Sequence, residues 1–243
     1  MKKDKKYKPL AAALLLALGV QAAAGSAPVY VQAAKAAKVV AIDAGHQAVG
    51  DSRTEPVGPG SATKKAKVAG GATGVSSHTP EYKLTLRVAK KLRKELENRG
   101  YQVVMIRTKN KVNISNKERA QKANKSGASV YIRLHADSST SSQVTGASAL
   151  YPSAQNKYVG KLSKSSRRLS DKILRSYCKK TGIKNRGLVV RDDLTGTNWS
   201  KIPVTLIEMG FLSNPSEDQK MQTEKLQKRM VQGMADGLDA YFR

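Results

Sequence analysis

Four polar residues stand where apolar or helical patterns begin or end: His46 in "AIDAGHQ", Glu81 in "SHTPEYKL", His135 in "YIRLHAD" and Glu208 in "PVTLIEMGFLSN". Two imidazoles and one carboxylate around an open position are the usual ligand set of a catalytic zinc, and a further carboxylate nearby is the usual general base. The four are too far apart in the chain for a short metal motif, so the chemistry depends on the fold bringing them together. Each has a plainer reading when taken alone. A histidine can be a hydrogen-bonded structural residue, a glutamate can complement a helix start, and a strand-end acid can reach water. The tension is greatest at Glu208. Val204, Leu206 and Ile207 before it read as the middle of a covered sheet, where an ionised carboxylate needs a proton, a cation or a task.

The elements that must position these residues alternate between apolar β-rich runs and helical patterns. That alternation is the signature of an α/β domain with a mainly parallel, twisted sheet of about six strands flanked by helices, a three-layer arrangement. Strands are expected over 38–43, 101–107, 129–134, 145–151, 187–190 and 203–208, and helices over 80–98, 115–126, 156–181 and 216–241. Thr79 as N-cap with Pro80 at the first helical position starts the first helix, whose buried stripe is Leu84, Val88, Leu92 and Leu96. One turn back along that stripe lies Glu81, so its carboxylate faces the sheet. Ser115 with Glu118 forms a capping box for the second helix. The Gly- and Ser-rich stretch from Gln47 to Ser77 has no periodicity, and a loop of that length in a compact domain is usually functional or mobile.

His46, His135 and Glu208 fall at strand carboxyl ends, the edge where open α/β sheets bind ligands, and a helix following a parallel strand starts there too. All four residues can therefore meet in one cleft. Asp43, three residues before His46, is a candidate to orient a ligand imidazole or to cap the loop. His78 reads as a surface residue of the loop before Glu81.

Composition sets the compartment and the partners. "MKKDKKYK", then "PLAAALLLALGV" and small residues, is a secretory signal pattern, so residues 1–36 are expected to be a signal peptide and short linker and 37–243 one catalytic domain. The apolar run is shorter than the roughly 20 residues of a membrane-spanning helix, and no stable membrane insertion is expected once the signal is removed. The net charge is +26, and removal of residues 1–33 takes away five Lys and one Asp, leaving +22. Such a field attracts polyanions. Export, the scatter of the basic residues and only 12 aromatics argue against nucleic acid and leave acidic lipid or anionic wall polymers as candidate further partners. Cys178 is the only cysteine and lies inside a helical pattern rather than at a helix start, which argues against a cysteine nucleophile.

"VVAIDAGHQ", "TGVSSHTPEYKLTLRVAKKL", "RTKNKVNISNKERAQKANKSGASVYIRLHAD" and "PVTLIEMGFLSNPSED" resemble, in order and over nearly all of residues 38–243, the zinc-dependent N-acetylmuramoyl-L-alanine amidases of the type 3 family. The resemblance implies one Zn2+ per chain bound by His46, Glu81 and His135, with Glu208 as the catalytic residue, a general base. It implies peptidoglycan as substrate, cleaved at the amide between N-acetylmuramic acid and L-alanine, and a protein that is secreted or wall-associated in a Gram-positive bacterium. The chain departs from the family at Ala44 and Gln47, where Pro and Gly are common, and at Asp137, where Asn is common. It has no appended wall-binding repeats and no evident extra helix over the site. The alternatives are a wall-binding module without catalysis and a zinc peptidase acting within the stem peptide.

Overall fold

The computed structural model describes residues 38–243. The signal peptide expected over 1–36 lies outside the described residues, apart from which the chain forms a single α/β domain. Its elements run in order as β1 (Val39–Ala44), β2 (Asp51–Pro56), β3 (Lys64–Val68), α1 (Glu81–Asn98), β4 (Gln102–Met105), α2 (Asn116–Lys125), β5 (Val130–Asp137), β6 (Ala147–Tyr151), α3 (Ser163–Thr181), β7 (Asn185–Val190), the single turn α4 (Thr195–Asn198), β8 (Val204–Phe211), α5 (Pro215–Met221) and α6 (Glu224–Phe242). Six strands form one sheet in the order β4-β1-β5-β8-β6-β7, and β2 pairs with β3 as a separate antiparallel hairpin. Only the β6–β8 pairing within the large sheet is antiparallel. From β1 the chain passes to β4 on one side and then, through α2, to β5 on the other. The switch point where a ligand belongs is therefore the β1/β5 crevice.

Alternation along the strands divides the sheet into two unlike faces. Val40, Ile42 and Ala44 of β1, Val130, Ile132 and Leu134 of β5, and Ile207 and Met209 of β8 face one way, into the main core with α1, α3 and α6. The opposite parity carries a small apolar cluster of Ala41, Tyr131 and Val204 under Ala120 and Ala123 of α2. Farther toward the carboxyl edge that same parity carries Asp43, Arg133, His135 and Glu208.

Several boundaries differ from those expected. Pro80 is itself the N-cap of α1, and Thr79 makes no capping bond there because its hydroxyl turns to Ser77 O. The third helix begins at Ser163 rather than 156, since Asn156 Oδ1 accepts from the backbone N–H groups of Tyr158 and Val159 and closes a turn that competes with the helix. The stretch 216–241 is two helices, divided where Thr223 caps Leu226 N. The long loop after β1 holds the β2–β3 hairpin. Its strands are largely solvent-exposed, so they carry little apolar alternation to reveal them. Strand β8 continues three residues past Glu208, which is an interior strand residue and not the strand's last.

Candidate active site

Four elements bring the four residues together. His46 follows β1 through the turn Gly45–His46, where His46 takes φ 60°, a left-handed conformation uncommon for a side-chain-bearing residue. Glu81 opens α1. His135 and Glu208 are register partners on the adjacent parallel strands β5 and β8, so their side chains stand side by side on one face.

Glu81 Oε1 lies 3.2 Å from His46 Nε2 and 3.1 Å from His135 Nδ1, and the two nitrogens are 3.1 Å apart. Ligand atoms about 2.0–2.1 Å from a tetrahedral zinc are about 3.3 Å from one another, so the triangle has the size of one face of such a site. A proton can lie along only one edge of the triangle, whereas one metal ion serves all three corners. His46 Nδ1 is 2.8 Å from Ala69 O, which fixes a proton on Nδ1 and leaves Nε2 as the nitrogen that faces the triangle. Glu81 is held by two backbone donors, Ala136 N at Oε1 and Ala72 N at Oε2. The residues thus fit a metal ion of the zinc type.

Electrostatics agree with the geometry. Burial would raise the Glu81 carboxyl, but hydrogen bonds from His135 and His46 outweigh it and hold Glu81 well below the usual carboxylate range. Burial draws His135 down to about 4, so its imidazole is neutral and available. His46 is also desolvated, yet the hydrogen bond and charge of Glu81 lift it above 6.5. Glu208 moves the other way: burial, then the charges of Glu81 and Asp137, push it well above 4.5. Its Oε2 and the Nε2 of His135 are the two buried side-chain polar atoms without a partner among the described residues. A buried acid oxygen with no protein partner, on the strand residue in register with His135, needs a reason, and a metal site at the three convergent atoms supplies one.

Structure adds residues that the sequence reading passed over. A Cβ on Gly45 would fall 2.6 Å from His135 Nε2, and one on Gly71, which has φ 81°, would fall 2.8 Å from the His46 ring. Only glycine leaves room for the two imidazoles at these points. The carbonyls of the His46 turn are tied down by two guanidinium groups. Arg107 donates to Ala44 O and Gly45 O, and Arg119 donates to Ala44 O and His46 O. Asp43 does not touch an imidazole. It is fully buried and accepts from Arg119, Arg133 and Tyr131, so its role is to anchor that guanidinium layer. These partners lie 76–90 residues away in the chain, beyond local reading. Its carboxyl is desolvated, yet Arg119 and Arg133 bring it down to about 2. His78 is exposed, as expected, and Cys178 is buried in α3 with its thiol pushed up to about 11 by burial.

A cavity of about 240 Å³ opens onto the triad, lined by His46, His135, Arg133, Asn116, Lys65 and Asp193. The β2–β3 hairpin roofs it on one side, where Lys65 Nζ reaches Asp193 Oδ2 at 2.9 Å across the mouth.

The family model described as N-acetylmuramoyl-L-alanine amidase matches residues 40–240. The chain belongs to this amidase family. Among curated relatives, the probable cell wall amidase LytH of Staphylococcus saprophyticus is 32% identical over 174 residues, covering 70% of this chain and 54% of that protein. The chain thus spans about half the length of that relative. Protein YqiI of Bacillus subtilis is 29% identical over 205 residues, 84% of this chain and 85% of that one. Among solved structures, the N-acetylmuramoyl-L-alanine amidase of Clostridium difficile 630 is 30% identical with a TM-score of 0.69, over 86% of this chain and 98% of that chain. The amidase Ami1 of Mycobacterium smegmatis, 23% identical, has a TM-score of 0.76 over 84% of this chain and 96% of that chain, a likeness of fold.

Proposed function

We propose that this member of the amidase family is a zinc-dependent peptidoglycan hydrolase that cleaves the amide between the lactyl group of N-acetylmuramic acid and L-alanine of the stem peptide. His46 Nε2, Glu81 Oε1 and His135 Nδ1 are the ligands, and Glu208 is the general base. The observation that carries the reading is the unpartnered Oε2 of Glu208, on the strand residue in register with His135 beside the convergent triad.

Zinc bound there supplies Lewis acidity, lowering the pKa of water toward about 7 and polarising the scissile carbonyl. Glu208 accepts the proton of the attacking water and then gives it to the departing L-alanine amine. Its raised pKa suits a group that must hold a proton between two steps. Glu81 would supply the one negatively charged ligand, and the Ala69 carbonyl keeps the proton on His46 Nδ1 so that Nε2 would be the ligating atom.

The signal pattern over 1–36 and the names of the staphylococcal relatives support secretion to a Gram-positive wall. No helix among the described residues is long and apolar enough to cross a membrane. Lys164, Arg168, Lys172, Arg175 and Lys179 recur every three or four residues on α3 and form a basic ridge that suits an anionic wall polymer.

Mass spectrometry of digested peptidoglycan tests the reading. Free L-alanine amino termini on intact glycan strands are expected. Cuts inside the stem peptide would make the protein a peptidase, and binding without products would make it a wall-binding module.

A further inference from the structure

Three guanidinium groups are buried near the carboxyl edge of the sheet, and they are not equivalent. Arg107 gives all its N–H groups to protein acceptors: Ala44 O, Gly45 O, Tyr82 O, Thr85 Oγ1, Lys109 O and Asn110 Oδ1. Arg119 is likewise engaged at every nitrogen, by Ile114 O, Asp43, Ala44 O, His46 O and Gln47 Oε1. Arg133 is only 3% exposed, yet its close hydrogen bonds are those of Nε to Asp43 Oδ2 and Nη2 to Asn116 Oδ1, with the Tyr131 hydroxyl nearby. Among the described residues its Nη1 has no acceptor.

Nη1 is not sealed in the core, because Arg133 lines the cavity that opens onto the triad. Room for the guanidinium comes from Gly196, where a Cβ would fall 2.6 Å from Arg133 Cζ and 2.7 Å from Nη1. Charge points the same way. Asp43 is the one buried carboxylate paired to Arg119 and Arg133 together, so this layer holds more positive than negative charge. The acid at the mouth, Asp193, is already taken by Lys65 and Arg191. No ion pair or hydrogen bond joins Arg133 to Glu208 among the described residues. A buried guanidinium with free donors facing a cavity is a site for an oxyanion, and its planar fork suits a carboxylate.

We infer that Arg133 is a specificity-determining residue whose Nη1 binds a carboxylate of the substrate on the floor of this cavity. The inference rests on the amidase reading and deepens it. Arg133 precedes His135 by two strand residues on the same face, about 7 Å along β5. An extended peptide covers that distance in about two residues. The carboxylate therefore belongs to the second stem residue, just past the L-alanine whose amide is cut.

The test uses wild-type holoenzyme and two disaccharide-tripeptide fragments of peptidoglycan, identical except that the carboxyl of the second stem residue is a free acid in one and a carboxamide in the other. Wild-type enzyme is expected to favour the acid by about 10-fold or more in kcat/KM, chiefly through KM, as for a charge-assisted hydrogen bond. Arg133→Met should erase the preference while both substrates are still cut. Arg133→Lys should restore part of it, and Lys65→Met should leave most of it. Equal kcat/KM for acid and amide in the wild type would overturn the inference without the need for any variant. So would a fall in Arg133→Met that is the same for both substrates, since Arg133 would then act through the fold or Glu208. Failure to cut either fragment while whole peptidoglycan is cut inside the stem peptide would instead refute the amidase reading.

Discussion

The two faces of the central sheet are made by the same strands and do opposite work. On one, Ile42, Leu134 and Ile207 are buried with α1, α3 and α6 in an apolar core whose contacts are nondirectional and replaceable. On the other, one residue along each strand, lie Asp43 and Arg133, bonded to Arg119 and Asn116 of α2, and then His135 and Glu208, in a layer where each polar atom is paired or points at the site. The first face supplies stability and tolerates volume-conserving change. The second is costly to desolvate and fixes directions, which is what convergent ligand atoms require.

Paired substitutions separate the faces most sharply. Arg119→Met removes one of the two guanidinium partners of buried Asp43, together with donors to Ala44 O and His46 O, and should cost about 3 kcal/mol or more. It should also weaken zinc binding, because the His46 turn loses its hold. Leu92→Ala, at a fully buried position of α1, should cost about 2–5 kcal/mol and leave zinc affinity and the activity of folded molecules unchanged. Denaturant melts with zinc titrations of both variants check this, and equal losses of zinc affinity would erase the distinction.

A smaller effect sharpens the polar face through pH. As a proposed ligand, His46 must shed a proton to bind metal; burial pulls its pKa down, but the hydrogen bond and charge of Glu81 hold it above the ordinary 6.5. Apparent zinc affinity should therefore rise about tenfold per pH unit up to that pKa and level off above it. His135, at about 4, should steepen the profile only in more acidic solution. Competition with a chromophoric chelator measures this, and a flat profile from pH 5 to 7 would contradict the ligand role of His46.

The smallest effect lies outside both faces. Retention on purified walls should weaken with salt, as screening shortens from about 10 Å at 0.1 M to about 3 Å at 1 M, and Lys164→Glu with Lys172→Glu should weaken it further without changing the fold. Salt-insensitive retention would assign binding to a specific sugar or peptide contact.

What could be read from the sequence follows from how local the cause is. The stripe Leu84, Val88, Leu92 and Leu96 and the Ser115–Glu118 capping box are local patterns, and both stand as expected. His46, Glu81, His135 and Glu208 could be gathered because strand ends and the start of a following helix share one edge in a parallel sheet. The β2–β3 hairpin could not, because exposed strands need no apolar alternation. Nor could the true role of Asp43 or the free donors of Arg133, which depend on groups brought from β1, α2 and β5. Gly45 and Gly71 stood in plain view, but the imidazoles that require them to be glycine come into place only on folding.

Glu208→Gln tests the central claim most directly, because it keeps the shape of the side chain and removes its capacity to take a proton. Hydrolysis of peptidoglycan should fall by roughly 100-fold or more, with zinc content and melting temperature equal to those of the wild type. Near-normal turnover would reduce Glu208 to a buried acid with no part in the chemistry, and loss of zinc from the variant would make it a ligand.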